Sequence, residues 1–309
     1  MATRQNRSAP LRPLNAAQRL GLWPLRVLWL VLPPVVGPGV VAAVAERTEP
    51  VRTLVELGLW SGWFLGLIAV LAPSTVSLTA VRILAPSAVA SSLVAAATAG
   101  RWTAATLVAL GGALLVTGLA FLPLVGDPMI NGSAYGSERR MALRPPAALL
   151  LGPVQLAWLV VYAGAITGPL LLVTGRYLFG VPALVVGWGL AVRGARTLHQ
   201  LSRRWLVFVP AGFVVHDFYT LAESLLIQRR LKPELSLATD TDSAQDDQRV
   251  DLSGGAYGLA LCVRVAEPLP FARRVARSIV SGTGLEFVFS PTLPGQALAE
   301  ARVRAIKIN

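Results

Sequence analysis

The stretch TLVELGLWSGWFLGLIAVLA, residues 53–72, carries a single charge, Glu56, in an otherwise apolar run. A helix rises 1.5 Å per residue, so about 20 such residues span a hydrocarbon core about 30 Å thick. Apolar side chains all round the helix do not suit a soluble surface helix, which keeps one polar face. Comparable runs occupy residues 25–45, 103–122, 147–174 and 178–192, and a weaker Ala- and Ser-rich run occupies 83–99. If 83–99 turns at Gly100-Arg101-Trp102 into 103–122 as a helical hairpin, the chain has six spans; an interfacial 83–99 would leave four. The hydrophobic fraction of 54% and mean hydropathy of +0.60 agree with a membrane bundle rather than a soluble core.

Arginines precede the first run, as in a signal peptide, but 25–45 is longer than a cleaved apolar region and is followed by further spans, so it reads as an uncleaved first helix. Pro33, Pro34 and Pro38 within it predict a kink or break, with neighbouring helices satisfying the freed carbonyls. The glycines Gly111, Gly112, Gly164, Gly168, Gly187 and Gly189 predict close helix packing.

The net charge of +12 is almost entirely arginine, with Lys232 and Lys307 the only lysines. Zinc spacings, RNP motifs and basic helices with heptads are missing, so the charge reads as topology-setting and not as a nucleic-acid interface. Placing the N-terminus inside gives the cytoplasm Arg4, Arg7, Arg12 and Arg19, then Arg82, then Arg139, Arg140 and Arg144, then Arg193, Arg196, Arg203 and Arg204. The outside receives Arg47, Arg52, Arg101 and Arg176. The expected arrangement is a multi-pass protein of the cell inner (cytoplasmic) membrane with both termini cytoplasmic.

After Arg203 the pattern changes to short apolar runs between turns. Residues 205–209 and 213–216 flank Pro210-Ala211-Gly212 as a hairpin, and strands are also predicted at 224–228, 258–265, 273–280 and 286–289. Residues 296–305 carry apolar side chains at helical spacing. The expected organisation is an N-terminal segment 1–24, a transmembrane bundle 25–198, and a β-rich domain 199–309 closed by a C-terminal helix.

Arg203-Arg204-Trp205 entering from a membrane helix, the turn at Ala211-Gly212, and Glu286-Phe287-Val288-Phe289-Ser290-Pro291 before a last helix resemble bacterial PH-like domains fused to membrane helices. The whole chain is similar in organisation to multi-spanning actinobacterial membrane proteins. This likeness implies a small barrel used for binding or assembly, without catalytic residues.

Sites of chemistry are few. The lone cysteine, Cys262, rules out an internal disulfide and reads as a buried thiol. Two histidines, His199 and His216, do not make up a zinc ligand set, and His216 reads as a hydrogen-bonded surface residue. Glu56 is expected to pair with Arg52 one turn earlier. The segment 127–144, with Asp127, Tyr135, Glu138, Arg139 and Arg140, reads as a connecting loop with a partner or headgroup contact as the sharper alternative. Asp240, Asp242, Asp246 and Asp247 lack the Gly and Glu of a calcium loop.

Arg203, Arg204, Arg229, Arg230, Lys232, Arg273, Arg274 and Arg277 would attract anionic lipid if they shared a face. The expectation is therefore a non-enzymatic membrane scaffold or accessory protein needing no cofactor. It would contact the bilayer and bind anionic headgroups or another membrane or cytoplasmic protein through Arg139, Arg140, Arg203, Arg204, Arg229 and Arg230. A transport or export component is the alternative, motivated by the Pro- and Gly-interrupted spans.

Overall fold

The structure is a computed structural model that describes residues 20–100, 102–238, 248–275 and 278–309. The expectations for Arg4, Arg7, Arg12, Arg19, Arg101, Arg277 and the acidic stretch 239–247 fall outside the described residues.

Six helices are long and apolar enough to cross a membrane: α1 (Trp23–Val44), α2 (Glu49–Leu71), α3 (Thr75–Ala99), α4 (Ala104–Phe121), and, after two short helices, α7 (Pro153–Val173) and α8 (Tyr177–Ser202). The short ones are α5 (Pro123–Asn131) and α6 (Ala147–Leu150). The chain divides into two compact units, residues 20–133 with 148–203, and residues 134–147 with 204–309.

In the helical unit, α1 runs unbroken through Pro33, Pro34 and Pro38. Pro33 has no N–H to offer the Trp29 carbonyl, and the Trp63 indole of α2 donates to that carbonyl instead, at 2.9 Å. Trp29 Nε1 returns a bond of 2.9 Å to the Trp63 carbonyl. A foreign donor therefore replaces one of the three intrahelical bonds that these prolines cannot make. Gly66 makes room for this exchange, because a Cβ there would overlap the Trp29 ring.

Helices α7 and α8 form the closest pair: a Cβ at Gly187 would lie 2.7 Å from the Gly164 carbonyl oxygen, and one at Gly168 would run into the Leu184 backbone. Gly111 and Gly189 face open space instead. Helix α3 begins eight residues before the predicted 83, where Ser74 accepts from the Ser77 N–H at 3.0 Å as an N-cap.

The second unit holds two sheets. The first is antiparallel in the order β1 (Arg139–Ala142), β2 (Trp205–Val209), β3 (Gly212–His216), β4 (Leu225–Gln228). The second comprises β5 (Glu234–Leu237), β6 (Arg249–Asp251), β7 (Leu261–Val275), β8 (Ser278–Phe289) and β9 (Lys307–Ile308), ordered β6-β8-β7-β5-β9. Between β8 and β9 lies α9 (Pro294–Val303), whose Ala297 and Ala301, one turn apart, enter the core. Phe208, Phe213, Phe287 and Phe289 fill that core.

The predicted connecting loop is in part a strand: Arg139 to Ala142 pair with Phe208 to Trp205. The chain beyond β1 continues into the same unit, with Arg144 N–H donating to the Ser290 carbonyl at 2.7 Å and Thr292 N–H to the Ala142 carbonyl at 2.8 Å. Residues 139–142 and 205–209 thus pair although two helices long and apolar enough to cross a membrane, α7 and α8, lie between them in sequence. The predicted strand 273–280 is divided between two strands, since Val275 pairs with Ser278.

Candidate functional site

The six arginines expected to meet a partner or lipid do not share one surface. Arg204 is a correction. Strand alternation places it one step beyond the Trp205–His216 pair, opposite Asp217, and both side chains are interior, 1% and 0% exposed. Arg204 Nε and Nη2 donate to the two Asp217 carboxylate oxygens at 2.7 and 2.6 Å, and Nη1 donates to the Arg144 carbonyl at 2.6 Å. Asp217 also accepts from Tyr219 N–H at 3.0 Å and Thr220 Oγ1 at 2.8 Å. The charge is matched inside the fold, so this guanidinium cannot reach a headgroup. The hairpin register was the signal that could have revealed it.

Arg140 is held locally, with its guanidinium 3.1 Å from Glu138 and 5.2 Å from the centre of the Trp205 ring. The bond to Arg140 holds the Glu138 carboxyl below its usual range. Arg139 sits on β1 in register with Phe208, and Arg203 closes the end of α8 with its N–H on the Gln200 carbonyl. The Trp205 ring stacks on His216 at 5.5 Å, and His216 Nδ1 lies 2.6 Å from Ser224 Oγ, as expected of a hydrogen-bonded surface residue.

Arg229 and Arg230 are different. They form a 3-10 turn, Arg229–Leu231, after β4, and with Lys232 they are exposed. None of the three makes an ion pair among the described residues. Lys232 adopts a positive φ of 45° at the end of the turn, so the three cations are presented in succession at one corner of the unit.

On the second sheet, Glu234, Ser236, Cys262, Arg264, Glu286 and Asn309 line a cleft of about 150 Å³. Arg264 Nε donates to Glu286 Oε1 at 2.6 Å, and Lys307 Nζ to Glu234 Oε1 at 2.5 Å. Lys307 and Asn309 hold the Glu234 carboxyl below its usual range. The Cys262 thiol, 3.7 Å from Glu286 Oε2, is pushed up to about 11 by burial and by that carboxylate. A thiol held neutral is a poor nucleophile and metal ligand. No cluster of three metal-ligating side chains occurs among the described residues.

Two expectations for the helical unit change. Arg82 lies within α3, not in a loop. Pro123 starts a new helix after α4, and Arg82 Nε donates to the Ala120 carbonyl at 3.2 Å near that break, with its guanidinium 5.6 Å from the centre of the Phe121 ring. A cation at a helix C-terminus is favourably placed, which gives Arg82 a structural role. Glu56 is exposed and makes no ion pair with Arg52; the two are four residues apart, but both point outward without meeting.

Comparison with protein-family models, with curated proteins and with solved structures finds no match. The class of protein is therefore set by architecture alone: a multi-pass membrane protein with a β-rich domain built from two separate stretches of chain.

Proposed function

We propose that this protein is a non-enzymatic scaffold or accessory protein of the cytoplasmic membrane, with both termini in the cytoplasm and a PH-like domain that engages anionic lipid headgroups. The observation that carries this reading is the corner Arg229, Arg230 and Lys232, exposed and without carboxylate partners among the described residues, on a unit joined to the spans by short connections. Only Arg203 and Arg204 separate α8 from β2, and residues 132–138 separate α5 from β1. Such tethers keep the domain near the lipid surface, where each cation contributes roughly 1 kcal/mol of attraction to anionic lipid at low salt. Three cations give about 3 kcal/mol, or a factor of roughly 100.

The test reconstitutes the full chain into vesicles of neutral lipid or of neutral lipid with added anionic lipid and follows tryptic cleavage after Arg229 and Arg230 by mass spectrometry. Anionic lipid should slow cleavage at this corner at least severalfold, and high salt should reverse the protection. Equal cleavage in both lipids would remove the basis of the proposal.

A further inference from the structure

Strands β7 and β8 are the longest in the protein, at 15 and 12 residues. Their roots belong to the five-stranded sheet: β5 pairs only with Leu261–Arg264 of β7, and β6 only with Glu286–Val288 of β8. Past a register shift between Arg264 and Leu269 the two strands continue as a two-stranded arm, in which Leu269 pairs with Gly284 and Val275 with Ser278.

The two edges of this arm differ. The β7 edge is covered, because Ala222 N–H donates to the Ala272 carbonyl at 2.8 Å and Arg274 N–H to the Thr220 carbonyl at 2.9 Å. The β8 edge, from residue 278 to 283, has no backbone partner beyond β7 among the described residues. It reads Ser-Ile-Val-Ser-Gly-Thr, without a charge or a proline. Exposed edges normally carry such residues to prevent strand addition. Here Ile279 and Val280 are 59% and 50% exposed instead.

We propose that this edge receives an extended acidic peptide segment of a partner protein by strand addition. Main-chain bonds supply the affinity in this mode and alternate side chains the selectivity. Acidity is indicated by charge. From residue 268 to 285 the chain has arginines and no carboxylate. Among the described residues, Arg273 and Arg274 hydrogen-bond with their side chains only to the carbonyls of Asp251 and Leu221, and neither forms an ion pair.

A bilayer fits less well as the occupant. Ile279 and Val280 are neighbours in a strand and so point to opposite faces, and open backbone groups are not tolerated in hydrocarbon. A second copy of the arm would bring like charges together. The proposal extends the scaffold reading by naming a class of partner, and it uses residues separate from the Arg229–Lys232 corner, so either can fail alone.

The test uses the full chain in neutral-lipid nanodiscs and fluorescent nonapeptides that alternate Val or Thr with Glu, with a Lys-for-Glu version as control. The acidic peptide should bind saturably and slow amide exchange at residues 278–284 alone. Ile279→Glu, which sets a negative charge against the acidic strand, and Ser281→Pro, which removes an N–H, should each weaken binding at least tenfold, with exchange in the remaining strands unchanged as evidence of folding. Equal binding of the acidic and basic peptides, no binding of either, protection of 278–284 by anionic lipid instead of peptide, or dimerisation through this edge would each overturn the proposal.

Discussion

Removing one partner of the Arg204–Asp217 pair should destabilise the β-rich unit by about 3–5 kcal/mol, the range for breaking a buried ion pair. The surroundings separate the two single variants. After Arg204→Met, Asp217 still accepts from Tyr219 N–H and Thr220 Oγ1, so the loss should lie near 3 kcal/mol. After Asp217→Leu, the guanidinium keeps only the Arg144 carbonyl and those two donors lose their acceptor, so the loss should approach 5 kcal/mol. The double variant, which buries no uncompensated charge, should be more stable than the sum of the singles implies, by about 2 kcal/mol or more. The chain offers a clean assay, because its one cysteine, Cys262, is only 7% exposed and lies in this unit. Thiol labelling of the full chain in detergent then reports opening of the β-rich unit alone. Losses of 3–5 kcal/mol correspond to labelling roughly 150- to 5,000-fold faster where opening is at equilibrium. Single variants that label within fivefold of the parent, or a double variant equal to the sum of the singles, would refute the assignment of this pair as the unit's central contact.

Further expectations concern other elements. Because the folded Cys262 thiol titrates near 11 against an unfolded value near 9, the unfolded state loses its proton first, and the thiol's contribution to stability should be present below about pH 9 and lost as pH rises toward 11; denaturant midpoints across this window check the sign, and a rise in stability would contradict it. Trp63→Phe keeps an aromatic side chain but removes the indole donor to the Trp29 carbonyl left by Pro33, so thermal stability in detergent should fall by the equivalent of about 1–2 kcal/mol, whereas Trp60→Phe should have little effect. Gly164→Leu should separate α7 from α8 and lower the yield of folded protein, while Gly189→Leu, where the space is open, should be tolerated; size-exclusion profiles in mild detergent distinguish the two.

Much of the architecture is legible in the sequence because membrane spans are set by length and polarity, which are local properties. The 205–216 hairpin is legible for a similar reason, because two short apolar runs flank the turn residues Pro210, Ala211 and Gly212. Strand β1 is not. Arg139-Arg140-Met141-Ala142 has neither alternation nor β-branched residues, and it is a strand because β2 offers an edge to it. The long arm is hidden by Pro268 and Pro270, which argue against a strand interior; the register shift between Arg264 and Leu269 falls beside them. Arg82 reads as a loop residue because it stands just before the apolar run 83–99, although Ser74 and Ser77 mark the start of α3. Of the site, the exposed pair Arg229 and Arg230 directly follows the predicted strand 224–228, whereas the burial of Arg204 needed cross-strand register to be seen.

The strand drawn from between the spans also orders events during synthesis. Residues 139–142 leave the ribosome well before their partner 205–209, and two membrane helices must be made in the interval. The pair can form only if those helices enter as a complete hairpin. A chain in which one of them fails to insert leaves β1 and β2 on opposite sides of the bilayer and the sheet unfinished, so correct membrane insertion becomes a precondition for folding of the domain outside it.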